Sequence, residues 1–339
     1  MISIPPGAGG TENRPEGGEG VGNVSSRAIL TVALLLGLSR PVDAQSPAAQ
    51  PHEWQVEAVG GLIGIAAGDL NSRVDYDISF INYLSAAQIQ QQHEGELLKL
   101  DDANPIAVRV LRRLSRHWSV GAGFSFFTEQ QGSSEHASYS YTVVDPRAQE
   151  YQRAFSQILV FDPLVLTVHD YFPHGLARYD VSLARRLRIG ASLHAGWVLA
   201  DCEISRTLTT QGGFYPTSRR TELEMTGRGG GLAGEAWLSA HLPLTSRLAL
   251  LVEGGYGLHQ VKNVTGTQNA TVQIQDGEAT AVELEQASRS EGRWVNQPVT
   301  VQTSSGPWQG SVPAIGTQGP PFTLNLSGWQ VRVGVSFGL

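Results

Sequence analysis

The sequence predicts an all-β fold: a closed antiparallel up-and-down barrel of eight strands, with short turns at one end and long loops at the other. Three observations predict it. Apolar side chains recur at every second position in eight separate stretches, which is the period of a strand and not of a helix. Tight polar turns alternate with long polar segments along the chain. The last run alternates to the final residue, as expected of a strand that closes a sheet onto the first.

The first strand places Trp54, Val56, Ala58 and Leu62 on one face and Gln55, Glu57, Val59 and Gly61 on the other. A hairpin follows from Asn104 to Gln130. Ile106, Val108 and Val110 lead to a basic turn around Arg112 to His117, and Trp118, Val120, Ala122, Phe124 and Phe126 return against Ser119, Gly121, Gly123 and Ser125. The second hairpin, Leu176 to Ala200, turns at Arg185 to Arg188. The third, Gly231 to Gln260, turns at Pro243 to Arg247. The final strand sets Trp329, Val331, Val333, Val335, Phe337 and Leu339 against Gln330, Arg332, Gly334, Ser336 and Gly338.

One strand, six from the hairpins and one more give eight, an even count with both termini at one end. The long segments are then loops at the other end: Ala67 to Ala103, Gln131 to Gly175, Asp201 to Arg228 and Val261 to Pro321. Such asymmetry is that of outer-membrane barrels. Phe155 to Val168 is apolar around Asp162-Pro163. It makes either a further hairpin, for ten strands, or an extension above the eight. A short helix is an option for Ile81 to Leu100.

Composition fits a barrel better than a soluble core. Charged residues are 16%, hydrophobic residues 41%, and there are 39 glycines. The non-apolar strand faces carry Glu57, Arg109, Arg178, Asp180, His194, Glu235, Glu253 and Arg332. A small soluble core could not hold these ions, since an unpaired buried charge is very costly. The apolar face is therefore expected to meet lipid and the ionic face to fill the lumen, with Glu57, Glu235 and Glu253 pairing with Arg109, Arg178 and Arg332. Trp54, Trp118 and Trp329 are expected at the periplasmic membrane interface, where aromatic rings are favoured. A soluble secreted barrel of the lipocalin kind is the structural rival.

Ser25 to Ala44 reads as a secretory signal: Arg27, the apolar run Ala28 to Leu38, then Val42-Asp43-Ala44 as a small-x-small cleavage site. Residues 1–44 are thus expected to be an N-terminal extension and cleaved signal, and 45–339 the barrel domain. The Gly/Pro/Glu-rich residues ahead of it suggest translation from near Val21 or Val24, the alternative being an unusually long n-region. No cysteine follows the cleavage site closely, so no lipoprotein anchor is expected. The net charge of -7 disfavours a nucleic-acid partner.

In pattern, residues 53 to 339 resemble the small outer-membrane β-barrels of the OmpA/OmpX and opacity-protein type, most firmly in the terminal strand and in the hairpin RLSRHWSVGAGFSFF. The resemblance implies an outer-membrane location in a Gram-negative bacterium, with membrane lipid and lipopolysaccharide as surroundings. It also implies recognition of Val331, Val333, Val335, Phe337 and Leu339 by the barrel-assembly machinery, although Leu339 stands where the family has an aromatic residue. Many members have no enzymatic activity and serve adhesion or envelope integrity.

The expected function is accordingly that of a non-enzymatic surface barrel, with no cofactor, no metal and no identified surface ligand. Alternatives are a narrow passive pore and a lipid-modifying enzyme of the lipid A deacylase type. For the latter, His117, Ser119 and Glu129 imitate a His-x-Ser pair with a downstream carboxylate, but the turn places His117 far from Glu129. His169 and His174 offer two imidazoles in an outer loop without a third ligand, weak evidence for a metal. Cys202, the single cysteine, is read as an incidental thiol.

Overall fold

The hydroxyls of Ser115 and Thr245 shape two of the turns that organise the sheet. Ser115 Oγ accepts from the backbone N–H of His117 and Trp118 at 3.3 and 3.1 Å. Thr245 Oγ1 accepts from those of Arg247 and Leu248 at 3.2 and 3.0 Å. Leu114 and Leu244 each donate to the carbonyl of the residue four further on. Both are four-residue turns held by a side chain that mimics a backbone acceptor, and each reverses the chain into a strand.

The computed structural model describes the backbone of residues 54–86, 90–144, 152–184, 187–212, 217–276, 284–303 and 306–339. The signal and cleavage site expected within residues 1–44, and the Arg185-Arg186 part of the second turn, lie outside the described residues.

Among those described, the strands are β1 (Trp54–Gly64), β2 (Gln90–Glu96), β3 (Asp102–Ala103), β4 (Ile106–Arg113), β5 (Trp118–Val144), β6 (Gln152–Ala184), β7 (Leu187–Gly212), β8 (Thr217–Pro243), β9 (Leu248–Asp276), β10 (Leu284–Thr303), β11 (Gly306–Ile315), β12 (Leu324–Asn325) and β13 (Gly328–Gly338). One helix of fifteen residues, α1 (Ser72–Ala86), lies between β1 and β2.

The thirteen strands form one antiparallel sheet, and eight of them close a ring in the order β1, β4, β5, β6, β7, β8, β9, β13. The closing seam runs from Gln55↔Gly338 to Ile63↔Gln330, and β13 is held on its other side by β9, from Gly328↔Gly257 to Phe337↔Leu248. The eight stretches of alternation thus all lie in the ring.

The expected long outer loops are largely strand instead. β5 to β9 are 26 to 33 residues long and continue well past the ring as an upright wall. β2 and the β10–β11 hairpin add to its edges. Phe155 to Val168 is neither an extra hairpin nor a loop. It continues β6, with the register shifting between Phe161 and Leu164 around Asp162-Pro163. The helix begins at Ser72, not in Ile81 to Leu100, where Gln90–Glu96 is strand.

Facing direction divides the molecule at one level. Within the ring, most buried inward positions are polar or charged, among them Glu57, Arg109, His194, Glu235 and Arg332, with a small apolar cluster of Val59, Ala107 and Leu251. The outward positions are large and apolar, with Leu232 at 78% exposure and Leu238 at 68%. Above the ring the same strands reverse their polarity. Leu164, Leu166, Val168, Ile204, Met225, Val261 and Val264 point inward into one core, while Thr128, Gln130, Glu224, Thr226, Arg228 and Lys262 are exposed outside. Ile63, Val74, Ile81, Trp294, Phe322 and Leu324 join that core, so α1 and the segment before β13 pack on the upper cavity.

Candidate functional site: an ionic network across the ring

The interior of an eight-stranded ring is only wide enough for side chains, and glycine makes the room. A Cβ on Gly123 would lie 2.5 Å from His174 Nε2 and 2.9 Å from Arg109 Cγ; one on Gly190 would lie 2.4 Å from Asp180 Oδ1. The small residues of the alternation are therefore spaces into which long polar side chains from other strands extend.

Those side chains reach across the lumen more than to their neighbours. Arg178 on β6 donates two hydrogen bonds to Glu57 on β1, at 2.5 and 2.6 Å. Arg109 on β4 donates to Glu253 on β9 at 2.7 Å and lies 3.6 Å from Glu57. Arg332 on β13 donates to Glu235 on β8 at 3.2 Å and to Gln330. Three guanidiniums thus face three carboxylates, all buried. Charge-assisted bonds of this kind are the strong ones in a low dielectric.

Glu235 is the hub. Besides Arg332, it accepts from Trp237 Nε1 at 2.9 Å and from Gln330 at 3.5 Å. His194 Nδ1 lies 3.1 Å from its Oε2, and His259 Nε2 lies 3.4 Å from its Oε1. His259 Nδ1 in turn meets Asp170 Oδ2 at 3.0 Å. His194 Nε2 meets Ser192 Oγ at 3.1 Å, and its ring stacks on His174 at 4.8 Å. The Trp237 ring lies under both Arg332 and Arg109, at 4.3 and 5.8 Å, a cation–π arrangement.

Hydroxyl, imidazole and carboxylate follow one another at Ser192, His194 and Glu235 in the order of a nucleophile relay. All three are buried in the lumen, so a substrate could reach Ser192 only if the ring opened. What the arrangement does as it stands is neutralise charge and fill space. A cavity of about 10 Å³ beside it, lined by Ser125, Asp170, His259, Gln330 and Arg332, has room for one water.

The structure brings Glu57, Arg109, Arg178, Glu235, Glu253 and Arg332 together. Asp180 faces the same lumen nearer the turns, its Oδ1 without a hydrogen-bond partner. His174 and His259 of the network, His241, which is buried on β8 beside Ser239, and Asp170 were not singled out as lumen residues. They stand at the parity of the charged face, which was the signal available.

Other expectations are corrected by position. Trp54 and Trp118 lie at the turn end, paired with Arg112 and Tyr179. Trp329 does not: it sits at the opposite rim, beside Tyr256 at 5.2 Å between ring centroids. β13 runs towards the turn end, so its first residue is its far one. His169 and His174 are on strand β6 and not in a loop. Five residues apart, they face opposite sides, with His169 outside against Thr128 and His174 inside. His117 bonds the carbonyl of Asp180, ten or more positions along the sheet from Glu129, so the deacylase-like set is not assembled.

Cys202 is buried in the upper core, and burial pushes its thiol up to about 12. In that core Asp77 of α1 receives Arg73 at 3.2 Å and Arg206 of β7 at 2.9 Å. This buried triad fixes the helix to the wall. No group of three or more histidine, cysteine, aspartate or glutamate side chains among the described residues is placed to hold a metal ion.

No protein-family model and no curated protein matches the chain. Among solved structures, the chain is similar to the crystal structure of the outer membrane protease OmpT from Escherichia coli, at 10% identity and a TM-score of 0.25, over 88% of this chain and 99% of that one. That protein is a protease, and the expectation of a non-enzymatic chain is not carried further. The match is to an outer membrane protein outside the OmpA/OmpX and opacity type, and the narrower resemblance gains no support from it.

Proposed function

We propose that the chain is an integral outer-membrane β-barrel protein whose eight-stranded ring spans the membrane and whose upper wall stands outside the cell as its contact surface. The observation that carries this reading is the reversal of polarity along single strands. A ring that is apolar outside and ionic inside suits acyl chains; a wall that is polar outside and apolar inside suits water. The boundary lies between Phe126 and Thr128 on β5 and between Leu258 and Gln260 on β9.

The dimensions agree. From Gly328 to Gly338 the last strand advances about 33 Å at roughly 3.3 Å per residue, and at a tilt of about 40° that spans roughly 25 Å, the height of an outer-membrane apolar band. Aromatic rings mark both rims: Trp54, Trp118 and Tyr179 at the turn end, Trp329, Tyr256 and Phe126 at the other.

On this reading the Ser25 to Ala44 signal exports the chain. The alternation of Val331, Val333, Val335, Phe337 and Leu339 is what the assembly machinery reads, and lipid with lipopolysaccharide surrounds the ring. The filled lumen and the apolar core above it argue against a passive pore. The upper wall of paired strands, and not a set of loops, is the surface for extracellular contacts.

The test is fractionation of expressing cells with heat-modifiable gel mobility, followed by proteolysis of intact cells. The reading expects the protein in the outer-membrane fraction, a mobility change on boiling, and cuts confined to segments above the ring. Recovery as a monomer in detergent-free buffer would contradict it.

A further inference from the structure

The turn end of the ring is a row of arginines. Arg116 and Arg247 are exposed at the two turn tips, and Arg113 and Arg188 are half-buried beside them. Arg113 is held upright by its own turn, its guanidinium donating to the carbonyls of Ser115, at 2.9 Å, and of Arg116. Among the described residues, this end has no exposed aspartate or glutamate side chain. Among the described residues, the acidic side chains of Glu57 and Asp180 at this end are both turned into the lumen. The exposed carboxylates Glu94, Glu96, Asp101, Asp102, Asp162 and Glu224 belong to the other end.

The row also stands at a defined level. Trp54, Trp118 and Tyr179 stand on β1, β5 and β6 just above it, Trp118 meeting Tyr179 edge-on at 5.2 Å, and the Arg112 guanidinium lies over Trp54 at 5.6 Å. Exposed tryptophan and tyrosine settle at the depth of lipid headgroups. Arg116 lies two residues beyond Trp118, and Arg188 one residue beyond the outward Ile189. The guanidiniums therefore stand where lipid phosphates stand.

We propose that this arginine rim binds the phosphates of anionic phospholipid headgroups in the leaflet at the turn end, so that the barrel carries a selected lipid annulus on that side. The proposal rests on the membrane reading above. Exposed cations beside a membrane attract anionic lipid, and the attraction weakens with ionic strength. The exposed guanidiniums of Arg116 and Arg247 also match phosphate oxygens in geometry, since arginine offers a fork of donors.

The test uses the full chain reconstituted into vesicles of phosphatidylcholine alone and of phosphatidylcholine with phosphatidylglycerol, with spin-labelled lipids reporting which headgroup sits next to the protein. The wild type is expected in both vesicles and to favour phosphatidylglycerol severalfold at low salt, less at 0.5 M salt. Arg116→Gln with Arg247→Gln is expected to remove most of that severalfold preference. Arg116→Lys with Arg247→Lys, which keeps the charge, should retain most of it. Insertion with no headgroup preference in the wild type, or an unchanged preference in the glutamine variant, overturns the proposal and leaves the membrane reading intact. Failure to enter either vesicle overturns the membrane reading and this proposal with it.

Discussion

Arg178 and Glu57 are joined by two hydrogen bonds, at 2.5 and 2.6 Å, across the lumen of the ring and not along it. Their strands, β6 and β1, are three places apart in the ring order. The pair therefore ties opposite walls, and both side chains are fully buried. Directly across from Glu57 on the adjacent strand stands Arg109, which spends its shortest ion pair on Glu253.

Removing one partner of such a pair leaves a buried charge uncompensated, at a cost of about 3–5 kcal/mol, whereas replacing both by apolar residues of similar size is often neutral. Arg178→Met is expected to lower unfolding stability in detergent or vesicles by roughly that amount. Arg178→Met together with Glu57→Met should recover most of it. Urea titrations followed by heat-modifiable gel mobility measure both. Equal stability of the single variant and the wild type would show that the pair does not tie the walls.

The lumen has no spare volume beside Gly123. Gly123→Ala places a methyl group 2.5 Å from His174 Nε2 and 2.9 Å from Arg109 Cγ, and overpacking of this kind costs about 1–3 kcal/mol. Gly132→Ala, whose Cβ would meet nothing within 4 Å, is expected to change stability far less. The same titrations compare them.

Much of this was legible in the sequence, because period two survives wherever one face is apolar. All eight ring strands follow from that alternation, and the ionic face from its polar positions. The upper wall was not legible. In β9 beyond Val261, and in β5 beyond Phe127, the outward side chains are mostly Thr, Gln, Ser and Asn and many inward ones are small or polar, so the alternation is weak and the segments read as loops. Tertiary pairing and the upper core set those strands, and neither is written locally. The displaced Trp329 has a simpler cause: position along a strand gives height only once the strand's direction is counted.

Cys202 gives a pH prediction outside the ring. Its thiol is raised from 9.0 to about 12 by burial, so the folded protein holds about a thousand-fold less thiolate than an exposed cysteine at neutral pH. Maleimide labelling at pH 7.5 is expected to be negligible until the protein is unfolded. For linkage, a raised thiol favours the folded state fully below pH 9 and loses that contribution as pH rises from 9 to about 12. Cys202→Ser should reduce the fall in stability over that window. Rapid labelling of folded protein would show the upper core to be open.

Asp77 holds the charges of Arg73 and Arg206 together inside the upper core. Asp77→Asn leaves two guanidiniums facing each other in an apolar setting, and about 3 kcal/mol or more should be lost locally. Hydrogen exchange over residues 72–86 is expected to quicken, while β1 and β13 in the ring stay protected. Uniform protection in the variant would mean that the triad does not anchor α1.

The most direct measurement compares two outward positions on one strand, β8. Leu238 lies within the ring and Glu224 on the upper wall. In a Cys202→Ser background, spin labels placed through Leu238→Cys and Glu224→Cys are read in vesicles for collision with oxygen, which concentrates in lipid, and with a water-soluble nickel chelate. The label at 238 is expected to meet oxygen and not nickel, and the label at 224 the reverse. A label at 238 that meets nickel freely would contradict a lipid-facing ring, as would one that meets neither.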